Sequence, residues 1–472
     1  MAHAPASAIN SPDAPGPRGH LLLGNLPEFT RDLLGMMAAD FPRYGDVIRY
    51  RVGPRLAYIL SHPDLAQEVL IKRQREFPKV GGSGGLGVVV GNGLIANESP
   101  ESWLAQRRMM QPMFHRQRLA AMGDKMTAAG ARMLDRWAAH RTNTALDISA
   151  EMLQVTLDII MQTMFSADVM SEVGRIGPAV TVAIEYANHR IFNPLSAPAG
   201  WPTPRNRAYA AARDTLDSVV FGLIKERRAV GQGHGDLLDM LLEARDADTG
   251  EQMSDQQLRD EVLTIFAAGH ETTANTLTFA WYALSQHPDV RARLHEEVDR
   301  VLQGRLPTVA DLPNLPYTQQ VFKEAMRLYP AAPIVGPRLA VANTTLGGYH
   351  IPAGARVIVS IYNIHRHPAF WSDPHSFDPR RFAAEQGEKG HHLAFMPFGA
   401  GPRKCIGNNL AEIEGALLLA LVASRYTLDL VPGHVVRPQM AITLRAKTGM
   451  PMRLVPRELH PAGMPSPVSK QL

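Results

Sequence analysis

FGAGPRKCIGNNLAEIEGALLLALVA, Phe398 to Ala423, contains Cys405, the only cysteine among 472 residues. Phe398, Gly401, Arg403, Cys405 and Gly407 give the pattern FxxGxRxCxG, and an apolar helical run follows directly after the thiol. A helix N-terminus and a nearby arginine favour thiolate over thiol, and free backbone N–H groups there can hydrogen-bond the sulfur. Glycines on either side let the backbone approach something broad and flat. The competing reading is an inert buried cysteine at a helix cap. Five set positions within ten residues argue against it. A thiol hydrolase fits poorly, because Cys405 lacks the local nucleophile signatures and its arginine-rich surroundings suit an anionic ligand.

A lone cysteine rules out an intramolecular disulfide and favours a reducing, intracellular setting. The N-terminal MAHAPASAINSPDAPGPRG has no apolar targeting core, and the longest apolar run, Gly415 to Ala423, is far below the roughly 18 residues of a spanning helix. No membrane anchor is expected, and a cytoplasmic location follows. A formal net charge of +4, without blocks of like charge, gives no reason to expect nucleic-acid binding. The 45% hydrophobic content is that of an ordinary globular chain with ample core.

Working back from the cysteine, Val47 to Leu60 reads as a hairpin about Gly53-Pro54. Helical periodicity runs from Glu101 to about Glu243, after a glycine-rich loop from Lys79 to Gly93. Ser254 with Gln257 gives a capping box, and the helical pattern it opens continues to Gln286, a helix about 48 Å long. A second helix begins at Pro288 and a third closes at Pro330. Short β signals follow, including Arg356 to Ile364. No linker or repeat divides the chain. The expectation is a mainly α fold with small β-sheets: a disordered segment 1–14, one domain 15–455 and a tail 456–472.

The long helix carries Ala268-Gly269-His270-Glu271-Thr272-Thr273 in its apolar middle. Gly269 costs about 1 kcal/mol of helix stability, and Thr272 can turn its hydroxyl to the carbonyl four residues back. Both loosen the helix at one point and could open a groove for a small ligand; a kinked core helix with Glu271 paired elsewhere is the alternative. A zinc protease is unlike this pattern, since HExxH needs histidine at Ala274, and His295-Glu296 fails likewise at Asp299. Glu324 and Arg327 stand one turn apart and can pair, with Arg381 of FDPRRF, Phe377 to Phe382, able to join them.

FGAGPRKCIG, AGHETT, EAMR and FDPRRF, in this order and at these intervals, resemble the cytochrome P450 family of haem-thiolate monooxygenases, from Pro15 to about Arg453. AGHETT and HRHP, His365 to Pro368, are nearer the fatty-acid-hydroxylase-like and microsomal branches than the short bacterial members. The resemblance implies the P450 fold, with heme b between the long helix and the cysteine-loop helix. Cys405 would be the axial ligand of the iron, Phe398 would pack beside the sulfur, and Gly401 and Gly407 would admit the macrocycle. Arg403 would pair one propionate, Trp103 and Arg107 (WxxxR) the other, and Arg338 is a further candidate. Glu324, Arg327 and Arg381 would form a structural ion network behind the haem. Thr272 would hold dioxygen and a water chain that Glu271 connects to solvent.

The same resemblance brings Gly85 to Asn97, Ile265 to Thr272, Ala332 to Val335, and Ala441 to Ile442 around a substrate pocket. Leu94, Ile265, Ala268, Ala332, Ile334, Val335, Ala441 and Ile442 line it and are apolar. A terpene, fatty acyl, steroid or macrolide-like substrate is implied, as in secondary metabolism. No flavin or iron–sulfur module fits the remaining length, so electrons would come from a ferredoxin or flavodoxin with an NAD(P)H-dependent reductase. Arg108, Arg116 and Lys404 are candidates for that contact, with scattered solubilising charge as the alternative. A monomer is expected. The alternatives of function are a peroxide-using or rearranging haem-thiolate enzyme, and a haem-based binding or sensing protein without turnover.

Overall fold

The computed structural model describes residues 11–457 apart from 83–84, 141–143, 167–169, 194–195, 231–232, 234, 247 and 384–389. Along the chain the main helices are α1 (Leu26–Tyr44), α2 (Pro100–Met110), α3 (Gly123–Ala138), α4 (Ile148–Phe165), α5 (Met170–Phe192), α6 (Pro204–Val230), α7 (Asp255–Gln286), α8 (Pro288–Leu302), α9 (Pro316–Leu328) and α10 (Asn408–Ala423). The main sheet consists of β1 (Val47–Val52), β2 (Arg55–Leu60), β3 (Ile334–Leu339) and β4 (Arg356–Ser360).

Helix α7 is the axis of the helical body and packs against α4, α6, α9 and α10. It starts where Ser254 Oγ accepts the Gln257 N–H at 3.2 Å. It stops at His287, because Pro288 cannot continue the ladder and instead opens α8. Helix α10 buries nearly all of its length, as its unbroken Ala/Leu/Val sequence requires. One large apolar cluster joins these helices, and a smaller one fills the space between the sheet and the cysteine loop.

The sheet has the order β1-β2-β4-β3. Strands β1 and β2 form the expected hairpin, with Gly53 at φ +59° in its turn. Strand β2 then pairs in parallel with β4, Ala57 opposite Arg356 and Leu60 opposite Val359. This pairing fastens the start of the chain to its last third. The β signal from Arg356 to Ile364 ends early. Ser360 Oγ accepts the Asn363 N–H at 3.2 Å and caps a single helical turn, Ile361–Ile364.

Three boundaries differ from expectation. Within the 1–14 segment expected to be disordered, residues 12–14 are ordered: the Pro12 carbonyl accepts the His350 N–H at 2.9 Å, Asp13 pairs with Arg49, and Ala14 is buried. Residues 1–10 lie outside the described residues. The final strand runs Pro451–Pro456, and Arg457 pairs with Asp299 at 2.6 Å, so the domain extends two residues past 455. The remaining tail, 458–472, lies outside the described residues. Within the glycine-rich loop, Gly87–Val90 forms one helical turn. No helix among the described residues is long and apolar enough to cross a membrane.

Candidate functional site

The cysteine loop is a backbone device. The Cys405 N–H donates to the Phe398 carbonyl at 2.9 Å and the Lys404 N–H to the Gly401 carbonyl at 3.0 Å, which closes the loop just ahead of α10. Gly401 has φ +73°, and a methyl carbon placed on it would lie 2.1 Å from the Leu70 carbonyl oxygen. The chain packed behind the loop therefore itself requires a residue without a side chain at Gly401. At Gly407 a methyl carbon would meet only Cys405 Sγ, 4.0 Å away, so that side stays open.

Cys405 is accessible yet set deep among protein atoms, the position of a thiol on the floor of a hollow. Burial raises its pKa above the ordinary value; the Gly407 N–H, Arg107 and Lys404 act the other way without reversing it. The sequence argument for a stabilised thiolate thus fails on the protein alone, because desolvation outweighs the helix end and the cations. The cation nearest in effect is Arg107 of α2, not Arg403. A bound metal ion would deprotonate such a sulfur outright.

Beside the loop lies a group of buried cations. Burial pushes the Arg338 guanidinium down to about 10, and among the described residues it has no hydrogen-bond or ion-pair partner. Arg403 is likewise held at about 10 by burial, with Arg338 adding to the effect; it donates to the Asn97 carbonyl at 2.8 Å and lies over the Trp103 ring, 4.4 Å from its centroid. Lys79, which sequence reasoning missed, is pressed down to about 8 by burial and by Arg403 and Arg338, and donates to the Ile95 carbonyl. Backbone pairing of Lys79 with Arg338 brings it there. Glu98 is the one acid acting on Lys79 and Arg403. Three cations desolvated together, with one acid acting on two of them, fit a dianionic group, which is what a haem and its two propionates would supply. Arg107 donates to the Lys404 carbonyl at 2.9 Å, on the cysteine side.

Behind the loop, Arg327 and Glu324 are fully buried and paired through two contacts of 2.7 and 2.8 Å. Arg327 also donates to the carbonyls of His365 and Pro374, both at 2.8 Å, and of Ser376 at 3.0 Å; the Asp378 N–H reaches Glu324 at 2.9 Å. Arg381 stands 3.5 Å from Glu324. A second link went unseen in the sequence. His365 Nε2 accepts the Met396 N–H at 2.9 Å, and Nδ1 faces the Arg327 carbonyl at 3.2 Å. The imidazole therefore carries its proton on Nδ1, and burial holds its pKa down at about 3. It joins α9 to the stretch that leads into the cysteine loop.

Opposite, in α7, Thr272 Oγ1 donates to the Ala268 carbonyl at 2.8 Å. Glu271 is buried, and His270 Nδ1 donates to the Phe266 carbonyl at 2.7 Å. Ala267, Ala268, Gly269 and Thr272 are partly accessible in the middle of an otherwise buried helix. Leu94 and Ile265 are buried in the main cluster, with Ile334, Ile442 and Phe398 packed against it. A methyl carbon on Gly399 would lie 3.9 Å from Val335, placing that strand beside the cysteine loop. Ala332 is partly buried, and Ala441 is held by its N–H to the Thr443 carbonyl at 2.8 Å. In the same helix the fully buried Glu261 accepts the Leu94 N–H at 2.9 Å. Arg108 and Lys404 are exposed, and Arg108 pairs with Asp248 at 2.7 Å.

Residues 14–451 match the family model described as Cytochrome P450. Among curated relatives, cyclooctatin synthase of Streptomyces melanosporofaciens is 37% identical over 89% of this chain and 90% of its own. Cyclooctat-9-en-7-ol 5-monooxygenase of the same organism is 37% identical over 91% and 93%. Pentalenene oxygenase of Streptomyces avermitilis is 34% identical over 88% and 91%. Among solved structures, the heme domain of cytochrome P450DA superposes with a TM-score of 0.86 at 27% identity, covering 95% of this chain and 99% of that one.

Proposed function

The chain belongs to the cytochrome P450 family, whose members hold a haem, and on that premise we propose that it is a monooxygenase that inserts one oxygen atom into a polycyclic terpenoid. The observation that carries the reading is the accessible, deep-set Cys405 in the same loop as Arg403, which belongs with Arg338 and Lys79 to a desolvated cluster of cations with few acids. The substrate class is supported by the apolar lining and by the names of the relatives, which include a pentalenene oxygenase and a monooxygenase of a cyclooctatene alcohol.

The cofactor is proposed to be heme b. Cys405 would ligate its iron; Arg403, Arg338 and Lys79 would hold the propionates, with Trp103 stacked under Arg403 and Arg107 steadying the loop carbonyl of Lys404. Phe398 is proposed to pack its ring beside the sulfur, its carbonyl already holding the Cys405 N–H. When bound, the haem supplies dioxygen activation and oxygen insertion into a C–H or C=C bond.

Proton supply falls to this chain. Thr272 Oγ1 already gives its hydrogen to the Ala268 carbonyl, so its lone pairs face the groove and can accept. A small rotation lets the same hydroxyl donate instead. Glu271, buried one residue earlier, is the group proposed to refill it from solvent. Glu324, Arg327, Arg381 and His365 fix the loop that presents Cys405 and touch no substrate.

A ferredoxin or flavodoxin with its NAD(P)H-dependent reductase is the proposed electron source. Exposed Lys404 and Arg116 would favour an acidic partner.

The test is turnover of cyclic terpenes by the holoprotein with surrogate ferredoxin, reductase and NADPH. Wild-type protein is expected to form oxygenated product; Thr272→Ala is expected to consume NADPH while diverting most of it to peroxide. Absence of product with every terpene that shifts the haem band would favour the sensing alternative. Tight coupling retained in Thr272→Ala would remove Thr272 from proton delivery.

A further inference from the structure

Two asparagines on different helices reach the same short piece of chain near the C-terminus. Pro438–Met440 and Leu444–Ala446 pair as an antiparallel hairpin with Leu444 opposite Met440, so Ala441, Ile442 and Thr443 form its tip. Within the tip the Ala441 N–H donates to the Thr443 carbonyl at 2.8 Å. Its other links come from outside. Asn188 Oδ1 of α5 accepts the Ile442 N–H at 2.6 Å, and Asn275 Nδ2 of α7 donates to Thr443 Oγ1 at 3.2 Å. Just past the tip, the Leu444 N–H donates to the Ala331 carbonyl at 2.9 Å. Three residues of turn have no ladder of their own, so these partners set where the tip stands.

Both asparagines are expensive residues for their places. Asn275 is 4% exposed in the apolar middle of α7, three residues past Thr272 and about 4.5 Å along the helix from it. An amide there is a poorer helix former than leucine and is tolerated only when hydrogen-bonded. Asn188 spends its oxygen on Ile442, while its buried Nδ2 has no partner among the described residues. An unpaired buried donor costs about 1–3 kcal/mol, which an apolar side chain would avoid. The side-chain atom of Asn188 that has a partner is the one that holds the tip. Helix α5 also refers the opposite wall to the same frame. Its Tyr186 ring stacks on Tyr209 of α6 with centroids 4.1 Å apart, and the Tyr209 hydroxyl donates to the Val88 carbonyl in the loop from Gly85 to Asn97.

An apolar polycycle gives a wall nothing to hydrogen-bond, so its orientation follows from the shape of the walls alone. Competing C–H bonds on one ring system lie only a bond or two apart, and a misplacement of about 1 Å is worth as much as about 10²-fold in rate. A wall element that shifts therefore changes which carbon reacts before it changes how tightly the molecule binds. On the terpenoid reading above, we propose that Asn188 and Asn275 are positioning residues that clamp the Ala441–Thr443 tip from two sides, and that this clamp selects the carbon that is oxidised. Both act through the tip, not through contact with the substrate. Asn188 fixes the tip against α5, and Asn275 fixes it against the stretch of α7 that carries Thr272.

The test supplies holoprotein, surrogate ferredoxin, reductase and NADPH with cedrene and, separately, abietadiene, and reads the ratio of the main oxygenated product to the next regioisomer. Wild type is expected to favour one product from at least one of them. Thr443→Val, which removes the acceptor at nearly constant shape, and Asn188→Leu should each lower that ratio about 5- to 10-fold. The dissociation constant from the spin shift of the haem band should stay within about 3-fold, because the apolar area buried is unchanged. Thr443→Ser keeps the hydroxyl and Asn188→Asp keeps the acceptor oxygen, so both should hold the ratio within about 2-fold of wild type. Asn275→Ala added to Thr443→Val should lower it no further than Thr443→Val alone, since both remove one bond. Should Asn188→Leu fail to take up haem, Thr443→Val decides the matter. A lowered denaturation midpoint with an unmoved ratio in Thr443→Val, a Thr443→Ser ratio that falls as far as that of Thr443→Val, or an even product mixture from wild type with both hydrocarbons overturns the clamp and leaves the terpenoid reading standing. No oxygenated product from either hydrocarbon with wild type overturns the terpenoid reading, and the clamp with it.

Discussion

His365 joins two segments that the haem site cannot do without, and its replacement by leucine has a signature that a merely bulky or merely polar core position would not give. The substitution removes the acceptor of the Met396 N–H and the donor facing the Arg327 carbonyl. Each backbone group left unpaired in the interior costs about 1–3 kcal/mol, partly offset because a leucine no longer buries an imidazole. A net loss of about 3 kcal/mol at pH 7.5 is expected. The pH dependence sets the test apart. Burial holds His365 at about 3 in the folded protein, whereas the unfolded chain titrates near 6.5. A base whose folded pKa is depressed contributes fully above the unfolded value and loses that contribution as pH falls. One pKa unit is about 1.4 kcal/mol, so the wild type surrenders about 2 kcal/mol from this residue alone between pH 6.5 and pH 5. The leucine variant has no such proton to take up. The stability gap should therefore shrink from about 3 to about 1 kcal/mol over that range. Guanidinium unfolding followed by tryptophan fluorescence at pH 7.5, 6 and 5 measures it. A gap that stays constant with pH, or a variant as stable as wild type at pH 7.5, would refute the reasoning.

Gly401→Ala should abolish the holoprotein, since the new carbon would fall 2.1 Å from the Leu70 carbonyl and φ is +73°; a normal reduced carbon monoxide difference spectrum from this variant would show that the loop tolerates a side chain. Arg338→Leu should act with opposite sign on two states. It relieves repulsion among Arg338, Arg403 and Lys79 in the haem-free chain, raising its denaturation midpoint, and it speeds haem loss to apomyoglobin about tenfold, the equivalent of one weakened charge-assisted contact. Equal haem-loss rates in variant and wild type would mean that this cation does not meet the propionates.

Local chemistry in the sequence was enough for the parts built locally. Ser254 and Pro288 bound α7 because a cap and a proline act within one turn. Gly53 marks the hairpin because the turn needs positive φ. The turn of the cysteine loop could be read because its backbone bonds, Cys405 to Phe398 and Lys404 to Gly401, close within seven residues. What the sequence hid depends on distant pairing or on burial. Lys79 looks like a loop charge until its backbone pairs with Arg338. His365 stood out only as a family marker, because its two partners belong to different segments. Glu261 is one charged residue among several in the first turns of the long helix; its partner, the Leu94 N–H, lies far away in the chain. The thiolate argument failed for the same reason. Helix end and cations are visible in a sequence, but the depth of Cys405 is not.

The site is also divided in time. Lys79, Trp103 and Arg107 come from the first quarter of the chain, and Arg338 and the cysteine loop from the last third. At about 5–20 residues per second, a ribosome takes about 15–60 s to travel from Arg107 to Cys405. Through that interval the early cations remain hydrated and nothing holds them to a common centre. The parallel pairing of β2 with β4 forms only after Ser360 has emerged, and the sulfur emerges later still. Cofactor capture is thereby postponed to the close of synthesis, when the anion that the buried cations require can enter as they lose their water.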